Sequence, residues 1–131
     1  MIALDTNVLI RFLVRDDEAQ ASRALGVVES CRAAEDACFL SNVVLCELEW
    51  VLDSLYHASR ADILAAVRML RTTPPFVVED ADLLDRAMAM FASGKADFSD
   101  YLLGEVARVR GARTTYTFDR GLRRAEGFTL L

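Results

Sequence analysis

Short, wholly apolar runs of strand length alternate along this chain with longer stretches whose apolar residues recur at helical spacing. Ile2-Ala3-Leu4 is the first such run, and it stops at Asp5. This pattern predicts a buried parallel strand whose C-terminal end carries a carboxylate, then a helix capped by Thr6 or Asn7 and running from Val8 to Val14. Asp16-Asp17-Glu18 places acid in the first turn of the next helix, where the helix dipole favours it. That helix runs to about Ala34 with Ala21, Ala24, Leu25, Val28 and Cys31 on one stripe. Ala37 to Leu40 reads as a second strand, and Ser41 or Asn42 caps a helix to about Leu55. Ser59 with Asp62 three residues on resembles a capping box, and the helix it opens reaches Arg71. Thr72-Thr73-Pro74-Pro75 is a turn.

Phe76 to Val78 is the third predicted strand. Asp80 starts a helix to about Ala92, ended by Ser93-Gly94. Lys95 to Phe98 is a loop, and a further helix capped by Ser99 or Asp97 ends near Gly111. Arg113 to Phe118, rich in threonine and tyrosine, is the fourth strand, and Asp119 ends it. A helical turn over Arg120 to Ala125 stops at Gly127, and Phe128 to Leu131 is the last strand. Strands alternating with helices imply βαβ units and an α/β fold with a parallel sheet. No internal repeat, low-complexity tract or linker interrupts residues 1–131, which read as one domain.

Composition narrows the function class. With 131 residues the chain is long enough to bury roughly two-thirds of the surface it exposes when unfolded. No apolar run approaches the ~20 residues that a membrane span needs. The start lacks a charged, signal-like segment, since Asp5 breaks its apolar run, so a cytoplasmic location without a membrane is expected. Cys31, Cys38 and Cys46 are widely spaced and His57 is the single histidine, which argues against a zinc site or a disulfide framework. The net charge of −5 argues against a protein that coats nucleic acid generally. Yet Arg108, Arg110, Arg113, Arg120, Arg123 and Arg124 crowd the last quarter, and such a cluster permits local phosphate contacts.

The acids carry the chemistry. In open α/β sheets ligands bind beyond the carboxyl ends of strands, and two predicted strands end in Asp5 and Asp119. If those strands are neighbours, the two carboxylates face one crevice. Asp5 read alone is equally a helix-capping residue. On the helix after the second strand, Val44, Leu45, Leu48, Val51, Leu52 and Leu55 form the apolar stripe. Glu47 and Glu49 flank its two edges, and spacing does not choose between them. In DFSDYLL, Asp97 reads first as a cap and Asp100 falls in the first turn. Two like charges ~4 Å apart repel by ~4 kcal/mol at an effective dielectric near 20. Clustered carboxylates therefore call for protons or a cation. An oxygen-only donor set suits Mg²⁺ or Mn²⁺, which can activate water and stabilise charge on a phosphodiester.

LDTNVLIRFL, SNVVLCELEW, DFSDYLL and TFDRGLRR, in this order and spanning nearly the whole chain, resemble the PIN domain. More narrowly they resemble the VapC-type toxins of bacterial toxin–antitoxin pairs. The resemblance implies a three-layer α/β/α sandwich with a parallel sheet in the order 3-2-1-4-5. It also implies a metal-dependent endoribonuclease leaving 3′-hydroxyl and 5′-phosphate ends. Carried over by position, the catalytic acids are Asp5, Glu47 rather than Glu49, Asp100 and Asp119. Asp5, Asp100 and Asp119 hold the metal, Glu47 assists directly or through water, and Asp97 stands in reserve. Asn7 and Thr117 match polar positions that orient a carboxylate or a metal-bound water. Arg120, directly after Asp119, reads either as solvated surface or as a contact to an RNA phosphate or an antitoxin acid. The same resemblance implies an RNA substrate, a cognate antitoxin and a homodimer.

Other classes fit less well. A response-regulator receiver needs paired acids at the first strand end, where Thr6 follows Asp5, and a lysine after a late strand, whereas Lys95 precedes a helix. A haloacid-dehalogenase-type phosphatase needs a second Asp where Asn7 stands. A non-catalytic PIN-like RNA-binding or scaffold protein is the serious rival, and it predicts a broken acid set.

Overall fold

Asp5 opens the first helix of the protein, which is described here, over residues 1–131, by a computed structural model. Its backbone is extended and its Oδ1 accepts the Val8 N–H at 3.0 Å. The expected cap was Thr6 or Asn7. Asp5 takes the role because its acceptor oxygen serves an orphan N–H as well as theirs, and the helix then starts two residues earlier than its apolar run.

Residues 1–79 and 80–131 form two compact units. The first begins with strand β1 (Ile2–Ala3) and helices α1 (Thr6–Val14) and α2 (Glu18–Ala33). Strand β2 (Cys38–Leu40), helices α3 (Asn42–Tyr56) and α4 (Arg60–Thr72), and strand β3 (Phe76–Val78) complete it. The three strands are parallel, with β2 between β1 and β3, Ile2 opposite Cys38 and Cys38 opposite Phe76. Asp17, Ser41 and Ser59 cap α2, α3 and α4 through their side chains, and Ser59 with Asp62 makes the expected capping box. The core of this unit contains Leu9, Val28, Leu40, Leu45, Leu48, Val67 and Leu70, all fully enclosed.

The second unit contains α5 (Ala81–Ser93), α6 (Phe98–Val109), β4 (Thr115–Thr117), a single 3₁₀ turn (Arg120–Leu122) and β5 (Phe128–Leu130). Helices α5 and α6 pack on each other, with Phe91 and Phe98 edge to face at 6.0 Å. Strands β4 and β5 are parallel, with Thr115 opposite Phe128.

Of the expected sheet order 3-2-1-4-5, two separate parallel pieces are present, 3-2-1 and 4-5, and β1 and β4 form no hydrogen-bonded pair. The strands are only two or three residues long, so each offers few ladder bonds. The buried first strand was also expected to be covered, whereas Ile2 and Ala3 are exposed and only Leu4 is buried. As the edge of its sheet, β1 is paired on one side only. Leu55, assigned to the α3 stripe, is exposed at the last turn of the helix, and the stripe is completed instead by buried Glu49. The three cysteines are free, as expected. Burial, reinforced by Cys31, pushes the Cys38 thiol up to about 12, which leaves it an inert core thiol. No helix is long and apolar enough to cross a membrane.

Candidate metal centre

Both strand-end acids stand where strand geometry puts them. Asp5 follows Leu4 directly beyond β1, and Asp119 lies two residues beyond β4. In the first unit Asp5 is exposed, with one oxygen engaged by the Val8 N–H. Asp5 and Asn7 border a cavity of about 310 Å³ together with Arg11, Gln20 and Arg23. Arg11 is held there by Gln20 at 2.6 Å and Asp16 at 2.7 Å. The Tyr56 hydroxyl, donating to Asp16 at 2.7 Å, and the Arg11 guanidinium together keep the Asp16 carboxyl below its usual range. This cluster is fully committed to its own partners.

Glu47 and Glu49 have different fates. Glu49 is buried, at 3% exposure, whereas Glu47 is exposed and its Oε2 accepts the hydroxyl proton of buried Thr6. That bond joins the first turn of α1 to the middle of α3, so the Thr6 and Glu47 side chains are direct neighbours. Sequence reasoning counted Thr6 only as a cap. The available signal was its place between Asp5 and Asn7, on the inward side of a helix whose next buried residues are Leu9 and Ile10.

In the second unit Asp97 caps α6, and its backbone N–H donates to Asp100 Oδ2 at 3.1 Å. Ser99, the other expected cap, lies inside the helix. Burial pushes the Asp100 carboxyl above the usual carboxylate range. The N–H of Asp97 opposes that shift, and the charges of Asp97 and Asp119 add to it. Asp100 therefore feels the charge of both Asp97 and Asp119. Asp119 Oδ1 accepts the Gly121 N–H at 2.7 Å, and its own N–H donates to Thr117 Oγ1 at 3.0 Å. Thr117 thus holds the backbone that carries Asp119.

The candidate acids offer carboxylate oxygens alone, and the negative charge of Asp100, made costly by burial and by Asp97 and Asp119, is one that a cation would offset. Both properties fit a hard divalent ion such as Mg²⁺ or Mn²⁺. Within each unit no three His, Cys, Asp or Glu side chains form a ready-made ligand group. An ion that keeps several waters and completes its shell with substrate oxygens does not require one.

Residues 2–127 match the family model described as PIN domain, a span that takes in both units and every acid named above. No curated protein matches the chain.

Proposed function

The chain belongs to the PIN domain family, whose members are generally metal-dependent nucleases, and from that premise we propose that it is a cytoplasmic endoribonuclease acting as the VapC-type toxin of a toxin–antitoxin pair. The observation that carries the reading is the PIN-domain match over residues 2–127, a span within which all four acids lie. In this reading residues 1–131 are one PIN domain. Asp5, Glu47, Asp100 and Asp119 are its catalytic acids, with Asp97 in reserve.

Asp5, Asp100 and Asp119 would hold Mg²⁺ or Mn²⁺, with Glu47 acting directly or through water. When bound, the ion supplies a lowered water pKa and charge neutralisation at the phosphodiester. The chain's own residues prepare the site for it. Helix caps at Asp5 and Asp119 fix one oxygen of each carboxylate and leave the other for a ligand. Thr6 orients Glu47, and Thr117 orients the Asp119 backbone. Asn7, beside Asp5 at the same cavity, is placed to position a water or an RNA oxygen. Arg120, next in sequence to Asp119, offers charge to the substrate backbone. A cognate antitoxin and homodimerisation complete the reading.

Purified protein, shown free of any bound inhibitor, is incubated with total cellular RNA in Mg²⁺, in Mn²⁺ and in EDTA. The proposal expects discrete fragments with 5′-phosphate ends only when metal is present. Folded protein that cleaves nothing in either metal would favour the non-catalytic RNA-binding alternative.

A further inference from the structure

A second feature of residues 80–131 lies outside the acid set. The 3₁₀ turn after Asp119 and the loop between α5 and α6 enclose a cavity of about 360 Å³. Lys95, Arg120, Arg123 and Arg124 line it, with Glu126 as its one acid. None of the four cationic side chains is paired with a carboxylate, whereas Glu126 already faces Arg86 at 3.8 Å. Four free cations round one concavity are unusual in a chain whose net charge is −5.

The cavity is built rather than incidental. Tyr101, at 2% exposure, presents its hydroxyl oxygen to the N–H groups of Lys95 at 3.1 Å and Ala96 at 3.2 Å. This pins the loop that carries Lys95. Gly94 makes the close approach possible, because a Cβ there would stand 1.8 Å from the Tyr101 hydroxyl. On the other side Gly121 forms the wall, and a Cβ there would meet Asp119 Oδ1 at 3.1 Å and the Ala96 nitrogen at 3.5 Å. Gly121 thus both lines the basic cavity and touches the Asp119 carboxylate, which its N–H meets at 2.7 Å.

We propose that this cavity seats a backbone phosphate of the RNA, next along the strand from the phosphate that is cleaved. Which phosphate is cleaved rests on the nuclease reading, whereas the binding itself does not. Arginine forks match phosphate oxygens two at a time. Met90 and Ala125 add apolar lining, suited to the carbon face of a ribose. The site would add affinity and register without reading bases, as backbone contacts do.

The test uses the full chain in EDTA, so that nothing is cut. Binding of a short fluorescent single-stranded RNA is followed by anisotropy across a salt series. The wild type is compared with the double variant Arg123→Gln/Arg124→Gln and with Arg123→Lys/Arg124→Lys. Both positions are exposed, so all three proteins should melt alike. The Gln pair should bind about tenfold more weakly, with a salt slope shallower by about 0.7 for each phosphate no longer neutralised. The Lys pair, which keeps the charge, should retain the slope. RNA binding by the Gln pair equal to wild type overturns the inference, even if the wild type cleaves RNA in Mg²⁺. So does a Gln pair that binds RNA normally but no longer binds polyglutamate, which would make the cavity a dock for an acidic peptide. Loss of RNA binding in the Gln pair with no cleavage by the wild type leaves the phosphate seat standing and removes the nuclease reading.

Discussion

The Thr6 hydroxyl donates to the Glu47 carboxylate, across 41 positions of sequence. The bond fixes an exposed acid from a buried anchor, Thr6 being 7% exposed. Thr6→Val keeps the shape and removes the donor. Groups that orient a metal-site carboxylate typically matter about 10–100-fold, so RNA cleavage should fall by about tenfold. The melting temperature should change little, because Glu47 can be rehydrated. An unchanged cleavage rate would detach Glu47 from the chemistry.

Asp100 gives a pH dependence with a definite sign. Its folded-state pKa is raised, chiefly by burial and then by Asp97 and Asp119. A raised carboxyl pKa favours the protonated fold. The favourable contribution is present below the unfolded value near 3.9 and disappears as pH rises through the raised folded value. In EDTA, Asp100→Asn should therefore gain stability relative to wild type as pH climbs from acid to neutral. The Asn carbonyl can still accept the Asp97 N–H. Mn²⁺ should then stabilise wild type at neutral pH far more than the variant. Thermal melts across pH, with and without metal, read both effects.

Tyr101 holds the loop before α6 through one oxygen. Tyr101→Phe leaves the buried Ala96 N–H without that acceptor, at a cost of about 1–3 kcal/mol. Chemical denaturation should show this loss. Gly94→Ala should be worse than an ordinary surface change, since its Cβ would collide with both Tyr101 and the Met90 carbonyl.

Glu105 is the centre of an ion triad. Its side chain is 4% exposed and accepts from Arg86 Nε at 2.8 Å and Arg108 Nε at 2.9 Å. Both arginines are about half exposed and can return to water if the acid is removed. Glu105→Ala should therefore cost about 2 kcal/mol, the scale of charge-assisted hydrogen bonds, rather than the larger penalty of stranding a buried ion. Glu105→Gln, which keeps an acceptor, should cost less. Urea denaturation midpoints distinguish the three proteins.

Much of this fold was legible because local chemistry and tertiary structure agree. The Ser59–Asp62 capping box and the Phe76–Val78 strand lie where the sequence places them, since turn chemistry and apolar runs act within a few residues. The α2 stripe was readable for the same reason, with Ala21, Ala24, Val28 and Cys31 all buried. Caps were harder, because Asp, Ser, Thr and Asn accept the same N–H almost equally well. That is why Asp5 displaced Thr6 and Asn7, while at α6 the cap fell to Asp97, one of the two candidates there.

Choices that depend on long-range partners were not legible. Glu47 and Glu49 flank one stripe symmetrically, and only Thr6 and the burial of Glu49 tell them apart. The Tyr101 hydroxyl was equally silent in sequence, since its partners are backbone N–H groups of a loop with no motif of its own. The strand order came from the family resemblance and not from the strands' own pattern, and of it the runs 3-2-1 and 4-5 are present. A strand of two residues such as β1 carries too little pattern to specify its neighbour.

If the carboxylates act on RNA through a divalent cation, cleavage must follow both the metal and the acids. The decisive experiment is the cleavage rate of one mapped RNA against Mn²⁺ concentration, for wild type, Asp5→Asn and Asp119→Asn. The variants must first be shown to melt as cooperatively as wild type. The expected result is saturable, EDTA-reversible cleavage by wild type and no cleavage by either variant at any Mn²⁺ concentration. Cleavage by Asp5→Asn at the wild-type rate, or wild-type cleavage that persists in EDTA, would refute the metal-carboxylate mechanism.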